Sequence, residues 1–309
     1  MDRDRRPFEN ILTVDVEDWC QSAPEVLLGG RRSAQPGEGV LDSTRRLLRI
    51  LEAHGARATC FVLGSLADEF PGLVREIAAA GHEVAAHGYR HRPVHEMTRA
   101  QFIEDVLRCR RALEDIAGMP VNGYRAPYFS ITGRCLWALE ALVETGMEYD
   151  ASLFPLHRRY YRTRGRENAD ELPRYPAPLH LKGGTLFEFP ATTLRLARQN
   201  LPAAGGVFLC LLPYALFARA VRQANAGGHP AVIYAHPHDI DPDPLLAAAP
   251  QGGLRSRLMR RALAAGRRRA VPRLRRLLSG HRFVSVREWM ASAAGRESMR
   301  AAEPAATPA

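Results

Sequence analysis

The chain has 309 residues, of which 46% are apolar and 25% charged, a composition typical of a folded globular protein with a full core. No apolar run approaches the roughly 20 residues that a membrane-spanning helix needs. The five cysteines are odd in number and never spaced as C-x-x-C, which argues against a disulfide framework and a structural zinc knuckle.

The formal net charge is +10, but Lys182 is the only lysine, and an excess that is almost entirely arginine supports nucleic-acid binding only weakly. The N-terminal residues 1–8 lack the long apolar region of a secretory signal, and Ile11 already begins an apolar strand. We therefore expect a cytoplasmic protein.

Apolar strands alternate with amphipathic helices along most of the chain. Strands are predicted at 10–15, 58–63, 82–86, 120–125, 185–190, 230–235 and 282–286, with a further strand position at 149. Helices are predicted at 41–54, 71–80, 98–117, 132–145, 214–227 and 287–294, with basic helices at 255–282. Residues 20–40 and 155–184 are predicted to be loops, and residues 295–309 a disordered tail. This alternation predicts an α/β fold with a parallel sheet, and about seven units favour closure into a barrel.

Polar residues stand at or just past the carboxyl ends of five predicted strands. They are Asp15, His87, Arg125, Asp150 and His236. In parallel barrels the functional residues lie where strands end and loops begin, so we expect these side chains to converge. Asp150, followed by Ser152, could equally be an ordinary turn cap.

The spacing of two histidines suggests a metal site. His87 and His91 lie four residues apart, and a helical loop there would place both imidazoles on one side. A divalent ion would also need a third ligand, usually a carboxylate, and Glu17 and Asp18 are the candidates. An H-x3-H pair alone is weak evidence for a metal site, and the expected convergence of the strand ends strengthens that evidence.

The remaining candidates fit metal-assisted hydrolysis of an amide. Asp15 could act as the base toward a metal-activated water, and Arg125 could orient it, although Arg125 alone could equally brace a loop. His236 could be the general acid, in competition with His238, and the backbone N–H of Tyr128 could stabilise the oxyanion. The sequence contains no phosphate-binding G-x-G-x-x-G after a strand, no Walker pattern and no G-x-S-x-G elbow.

The ordered set of motifs resembles the NodB-homology polysaccharide deacetylases, carbohydrate esterase family 4. It comprises T-V-D-V-E-D at 13–18, H-G-Y-R-H at 87–91, R-A-P-Y at 125–128 and an apolar strand that ends in His236. Y-D-A-S-L-F-P at 149–155, E-F-P-A-T-T-L-R at 188–195 and H-P-H-D-I-D-P at 236–242 resemble the subgroup from exopolysaccharide gene clusters associated with exosortase systems. The resemblance extends over residues 8–292.

The resemblance implies a distorted (β/α)7 TIM-like barrel over residues 8–292, with the C-terminal extension of the subgroup within 155–292. It implies removal of acetyl groups from N-acetylated sugars with zinc or a similar divalent ion. Asp15 would be the base, held by Arg125, and His236 the acid. Tyr128 would donate its backbone N–H.

His87 and His91 would be metal ligands, but the third ligand departs from the family pattern. That pattern has two adjacent aspartates, whereas here Val16 follows Asp15 and Glu17 and Asp18 come next. Strand alternation favours Glu17 and the family preference for aspartate favours Asp18, so both stay open.

We therefore predict a metal-dependent polysaccharide N-deacetylase that acts on an amino-sugar polysaccharide or its precursor. The alternatives are an amidohydrolase for a small cyclic or linear amide, and a catalytically silent carbohydrate-binding protein on the same fold. No nucleic-acid partner is expected, because the basic segment 255–282 is almost free of aromatic residues. Its helices could instead support peripheral association with the inner membrane face. The sequence carries no signal for an oligomeric state.

Overall fold

The computed structural model describes residues 8–18, 37–156, 173–241 and 254–300. In the first half, strands and helices alternate as predicted. The elements are β1 (Glu9–Val16), α1 (Gly39–Glu52), β2 (Thr59–Val62), α2 (Gly64–Glu69), α3 (Pro71–Ala79), β3 (Glu83–Ala86), α4 (Arg99–Ala117), β4 (Gly123–Tyr124), α5 (Trp137–Glu144) and β5 (Tyr149–Asp150).

The second half adds strands to the same sheet and most of the irregular elements. They are β6 (Ala177–Leu181), β7 (Gly184–Glu188), β8 (Thr193–Leu196), β9 (Gln199–Pro202), α6 (Val207–Leu211), α7 (Tyr214–Ala226), β10 (Val232–Ala235), α8 (Leu254–Gly280), β11 (Arg282–Val284), α9 (Val286–Ala291) and α10 (Ala293–Arg300). Short 3₁₀ turns lie at Val94–Glu96, Pro127–Phe129 and Pro237–Ile240.

The main sheet has nine strands in the order β10-β1-β2-β3-β4-β5-β7-β6, with β11 also paired to β1. All of its ladders are parallel except the β6–β7 hairpin. Within the described ranges no ladder joins β6 to β10, so the sheet is curled but not closed by hydrogen bonds. The predicted α/β class with a distorted barrel is confirmed. The central strands are buried along their whole length because helices cover one face and the barrel interior the other.

A C-terminal helix closes the barrel at the amino ends of its strands. The backbone N–H of Val286 donates to Thr59 Oγ1 at 2.8 Å, and that of Arg287 donates to Glu83 Oε2 at 2.9 Å. Thr59 and Glu83 are the first residues of β2 and β3, and they face each other in the ladder. Trp289 of α9 is buried against Phe189. The opposite, carboxyl ends of the strands remain available for a site.

Several elements differ from the prediction. Strand β6 and the β8–β9 hairpin were not predicted, and β6 lies inside the predicted loop 155–184, whose residues 157–172 are outside the described ranges. β6 contains Pro178 and lies at the edge of the sheet, where a missing N–H is tolerated, so only its partner identifies it as a strand.

The helices also differ in their extents. Helix α5 begins at Trp137 rather than at 132, and the basic segment forms one continuous helix, α8, that contains Pro272. Residues 293–300, which include the start of the predicted disordered tail, form α10. In the described residues no helix is both long enough and apolar enough to cross a bilayer.

We predict that Trp289→Ala destabilises the protein by about 3–5 kcal/mol, because it removes a buried aromatic side chain and leaves a cavity beneath the barrel. Denaturant unfolding would measure the loss. Arg268→Ala, at an exposed position on α8, is the control and should change stability by less than about 0.5 kcal/mol. Equal stability of the two variants would show that α9 does not close the barrel.

Candidate active site

The strand-end residues meet at one edge of the curled sheet. Asp15 lies one residue before the end of β1, and His87, Arg125 and His236 each follow directly on β3, β4 and β10. Because these strands are parallel, their carboxyl ends share one edge, and the structure brings four of the five predicted side chains together there. The fifth, Asp150, is instead hydrogen-bonded to Ser152.

The Arg125 guanidinium is fully buried and bonded directly to Asp15. Its Nη1 donates to Asp15 Oδ1 at 2.7 Å and to Thr13 Oγ1 at 2.7 Å. Its Nε donates to the backbone oxygen of Ala151 at 2.9 Å, and the guanidinium carbon lies 4.4 Å from the centre of the Phe61 ring. The ion pair stabilises negative charge on Asp15 and leaves its second oxygen, Oδ2, directed toward His236.

Three potential metal ligands converge beside this pair. Glu17 Oε2 lies 2.5 Å from His91 Nε2 and 3.6 Å from His87 Nε2. His87 Nδ1 is 2.8 Å from the backbone oxygen of Arg125, which can only accept, so Nδ1 carries the proton and the Nε2 of a neutral ring presents a lone pair. Glu17 Oε2 is itself buried without a hydrogen-bond partner. The lone pair of His87 and this carboxylate oxygen face each other in a buried site, an arrangement suited to holding a cation between them.

The charge state of Glu17 agrees with a cation site. Burial alone would raise its pKa, but His91, His87 and His236 outweigh burial and hold the pKa well below the usual range. The carboxylate is therefore anionic and requires positive charge beside it. One carboxylate and two imidazoles are a donor set that zinc and similar divalent ions accept, so the residues fit a divalent metal.

The loop that carries the two histidines is not the helical turn that the spacing suggested. His91 has φ +54°, in the left-handed region that is uncommon for a residue with a side chain. The loop is held by α4, since the backbone N–H of Tyr89 donates to Asp105 Oδ2 at 2.8 Å. The imidazole rings of His87 and His91 still lie only 5.2 Å apart, centre to centre.

Asp18 is directed away from this cluster. Its Oδ2 accepts a hydrogen bond of 2.7 Å from the backbone N–H of Gly37. Asp18 belongs to neither of the metal-ligating groups in the described residues, whereas Glu17 belongs to both. Of the two acids that the sequence left open, Glu17 is the one that meets the histidines.

His236 is paired with an acid that the sequence analysis missed. Its Nδ1 lies 2.9 Å from Asp239 Oδ2, which also accepts from the His236 backbone N–H at 2.8 Å. His236 Nε2 lies 3.4 Å from Glu17 Oε1 and 3.8 Å from Asp15 Oδ2. The spacing H-x-x-D at 236–239 was the available signal for this pair.

The pKa values of His236 and His238 are shifted in opposite directions. Burial opposes the charged form of His236, but Asp239, Glu17 and Asp15 outweigh it and raise its pKa to about 9. Burial and the neighbouring charges of His236 and Arg267 lower the pKa of His238 to about 3. Of the two competing candidates, His236 therefore binds a proton more tightly than His238. His236, His238 and Glu17 form the second group that could hold a metal.

Tyr128 lies over the metal-ligand cluster on the 3₁₀ turn Pro127–Phe129. Its ring centre is 4.3 Å from that of His91, and its side chain is 36% exposed, so it borders the opening of the site. Tyr128 and Phe129 have φ of +59° and +51°, a costly backbone conformation that the surrounding contacts must hold.

We predict that Glu17→Gln weakens zinc binding more than about 100-fold, because a direct ligand is lost and outer-sphere partners alone are worth 10–100-fold. Asp18→Asn is the matched control and should retain affinity within about threefold. Titration of metal-stripped protein with zinc would measure both. The reverse result would assign the third ligand to Asp18.

Comparison with known proteins agrees with this geometry. Residues 37–149 match the family model described as polysaccharide deacetylase, and residues 151–291 match a domain of unknown function, DUF3473. The chain is 32% identical over 101 residues to a Bacillus cereus peptidoglycan-N-acetylglucosamine deacetylase, covering 32% of this chain and 37% of that protein. It is 33% identical over 108 residues to a Helicobacter pylori peptidoglycan deacetylase, covering 35% and 36%. The matched region thus spans just over a third of each relative.

A solved structure has the same fold over almost the whole chain. It comes from Mycobacterium smegmatis, and its name assigns it to the polysaccharide deacetylases. The two superpose with a TM-score of 0.61 at 19% identity, over 99% of this chain and 96% of that one. Residues 37–149 are thus similar to the polysaccharide deacetylases and residues 151–291 to DUF3473, and the shared fold extends over almost the whole chain.

Proposed function

We propose that the protein is a metal-dependent hydrolase that removes N-acetyl groups from an amino-sugar glycan. The observation that carries the proposal is the position of the Glu17, His87 and His91 cluster beside two different proton-handling pairs, Asp15–Arg125 and His236–Asp239. His236 Nε2 lies 3.4 Å from Glu17 Oε1 and 3.8 Å from Asp15 Oδ2, so both pairs adjoin the cluster. A binding protein would need neither pair.

The metal would be held by Glu17, His87 and His91, and the nitrogen-rich donor set favours zinc. When bound, such an ion acidifies a water molecule and polarises the amide carbonyl. A cavity of about 150 Å³ lies next to Glu17, on the side lined by Asp18, Gly37 and His238.

Asp15 would act as the base. Arg125 occupies its Oδ1, so Oδ2 is the oxygen that can take a proton from the attacking water. As the oxygen of that water bonds to the acetyl carbon, negative charge grows on the carbonyl oxygen, and the backbone N–H of Tyr128 is the proposed donor to it.

His236 would act as the acid. Asp239 holds the proton of Nδ1 and favours the charged ring, so Nε2 can give its proton to the amine nitrogen as the carbon–nitrogen bond breaks. The products are acetate and the free amino sugar. Asp15 then loses its proton and His236 regains one before the next cycle.

The substrate class follows from the relatives and from the subgroup resemblance. The relatives are named for peptidoglycan and N-acetylglucosamine, which supports an N-acetylated amino-sugar glycan for this chain. Within that class we propose an exopolysaccharide or its precursor, because the motifs at 149–155, 188–195 and 236–242 resemble the exopolysaccharide subgroup.

We predict that zinc restores acetate release from N-acetylglucosamine oligomers to metal-stripped protein, and that His87→Ala and Asp15→Asn each lower kcat at least about 100-fold. His87→Ala should lose zinc, whereas Asp15→Asn should keep it. Asp18→Asn again serves as the control with near-normal activity. Tight zinc binding without acetate release would move the proposal to a different amide, and no zinc binding would contradict it.

A basic stripe on helix α8 supports peripheral association with an anionic membrane surface. We define it by five exposed arginines that recur seven or eight residues apart, namely Arg261, Arg268, Arg269, Arg275 and Arg276. The helix contains no acidic residue, and in the described part of the chain none of the five has a carboxylate within ion-pair distance. Leu258, 56% exposed, falls on the same face, which favours a lipid surface over nucleic acid.

We predict that the protein co-sediments with anionic vesicles at low salt, and that Arg268→Gln/Arg269→Gln weakens binding roughly thirtyfold, since each arginine near such a surface contributes about 1 kcal/mol. Arg46→Gln/Arg49→Gln, on the exposed face of α1, removes the same charge elsewhere and is the control. Equal binding of the two variants, or no binding at low salt, would contradict the role of the stripe.

A further inference from the structure

Two acidic side chains are buried side by side behind Arg125. Asp150 ends β5 and Glu188 ends β7, and the two residues face each other in the parallel ladder. Neither has any exposed surface. None of the proposed steps above uses either carboxyl group, and neither touches a proposed metal ligand in the described contacts.

The hydrogen bonds of the pair are unequal. Asp150 accepts from Ser152 Oγ at 2.5 Å and from the Ser152 backbone N–H at 3.2 Å. Glu188 Oε1 accepts from the Leu153 N–H at 3.0 Å, but Glu188 Oε2 is buried with no donor. The two carboxyl groups are close enough to hydrogen-bond to one another.

One proton shared by the pair would satisfy every oxygen. Two adjacent buried carboxylates cannot both be ionised without a large electrostatic cost. Burial and the charge of Asp150 raise the pKa of Glu188 well above the usual range. Because Asp150 already accepts two hydrogen bonds, we assign the charge to Asp150 and the proton to Glu188 Oε2, which then donates instead of lacking a partner.

The pair is connected to the catalytic loop through one hydroxyl group. Because Ser152 gives its hydroxyl proton to Asp150, its oxygen is oriented to accept from the Ala126 N–H at 2.8 Å. Arg125 Nε donates to the adjacent Ala151 oxygen. Residues 150–152 therefore hold Arg125 and Ala126, which precede the left-handed turn at Tyr128.

We propose that Asp150 and Glu188 form a proton-sharing acid pair that positions the Arg125–Phe129 loop through Ser152, a role that rests on the hydrolysis proposed above. An ordinary turn cap at Asp150 would account for its bonds to Ser152. It would not account for a second buried acid directed at the first, with an oxygen that lacks a donor.

The kinetic test compares two variants. Glu188→Gln keeps a neutral donor in place of the protonated acid, so its kcat should stay within about twofold of the parent. Ser152→Ala breaks the connection and should lower kcat roughly 10–100-fold, with KM within about twofold, because the loop that orients Asp15 shifts. A large loss of kcat in Glu188→Gln with zinc still bound would overturn the neutral assignment, and unchanged kcat in Ser152→Ala would overturn the positioning role.

Two measurements separate this proposal from the proposed function, because neither requires a substrate. The infrared difference spectrum of the parent protein minus Glu188→Gln, near neutral pH, should contain the carbonyl stretch of one neutral carboxylic acid. Hydrogen exchange of the Ala126 amide should be slow in the parent and in Glu188→Gln, and fast in Ser152→Ala. If the infrared band or the difference in exchange is absent, the proton-sharing and positioning role of Asp150 and Glu188 is contradicted, even if the enzyme releases acetate. If both are present in a protein that releases no acetate, only the proposed reaction fails.

Discussion

The buried ion pair between Asp15 and Arg125 is the constraint on which the rest of the site depends. Strands β2 and β3 separate β1 from β4 in the sheet, so in a flat sheet the two residues would lie about 14 Å apart. A direct bond of 2.7 Å between them requires the sheet to curl. Burying a charged guanidinium costs free energy unless it is paired with an anion. Losing either partner would therefore leave an unpaired buried charge and remove the bond between β1 and the residue that follows β4.

Arg125 also links the proposed base, Asp15, to the cluster of potential metal ligands. Its side chain holds Asp15, while its backbone oxygen accepts from His87 Nδ1 and so directs His87 Nε2 at Glu17. A carbonyl acceptor behind a ligating imidazole is a common way to fix both the tautomer and the ring orientation. The proposed base and the proposed ligand are thus oriented by one residue, and a shift of its loop would disturb both.

The sequence predicted the location of the site better than its internal contacts. Residues at strand ends must converge in a parallel barrel, so Asp15, His87, Arg125 and His236 could be grouped from the alternation of strands and helices alone. The pairing of His236 with Asp239 is local and could have been found from its spacing. Glu17 rather than Asp18 meets the histidines because Asp18 accepts a hydrogen bond from the Gly37 backbone N–H. This bond was not predicted from the sequence, which therefore left both acids open.

Other features required knowledge of strand order. Glu188 becomes a partner of Asp150 only because β7 follows β5 in the sheet, and the β6–β7 and β8–β9 hairpins are short strands whose identity depends on their partners. The left-handed backbone of His91 and Tyr128 has no signal in the residue types, since it is imposed by the packing around the loops.

The residues of the candidate site come from segments that fall outside or within two different family matches. Asp15 and Glu17 precede the polysaccharide deacetylase match, His87, His91 and Arg125 lie within it, and the His236–Asp239 pair lies in the DUF3473 match. The same extension supplies β7, β10 and β11 to the main sheet.

It also supplies Trp289, which packs beneath the barrel. Glu83 accepts a hydrogen bond from the first turn of α9, although burial raises the pKa of this carboxyl group. The extension is therefore bonded to the amino ends of the strands as well as to the site at their carboxyl ends. A segment that contributes the His236–Asp239 pair and strands β7, β10 and β11 of the main sheet is an integral half of the fold rather than an appended module, because its removal would leave β1 and β5 as unpaired edges.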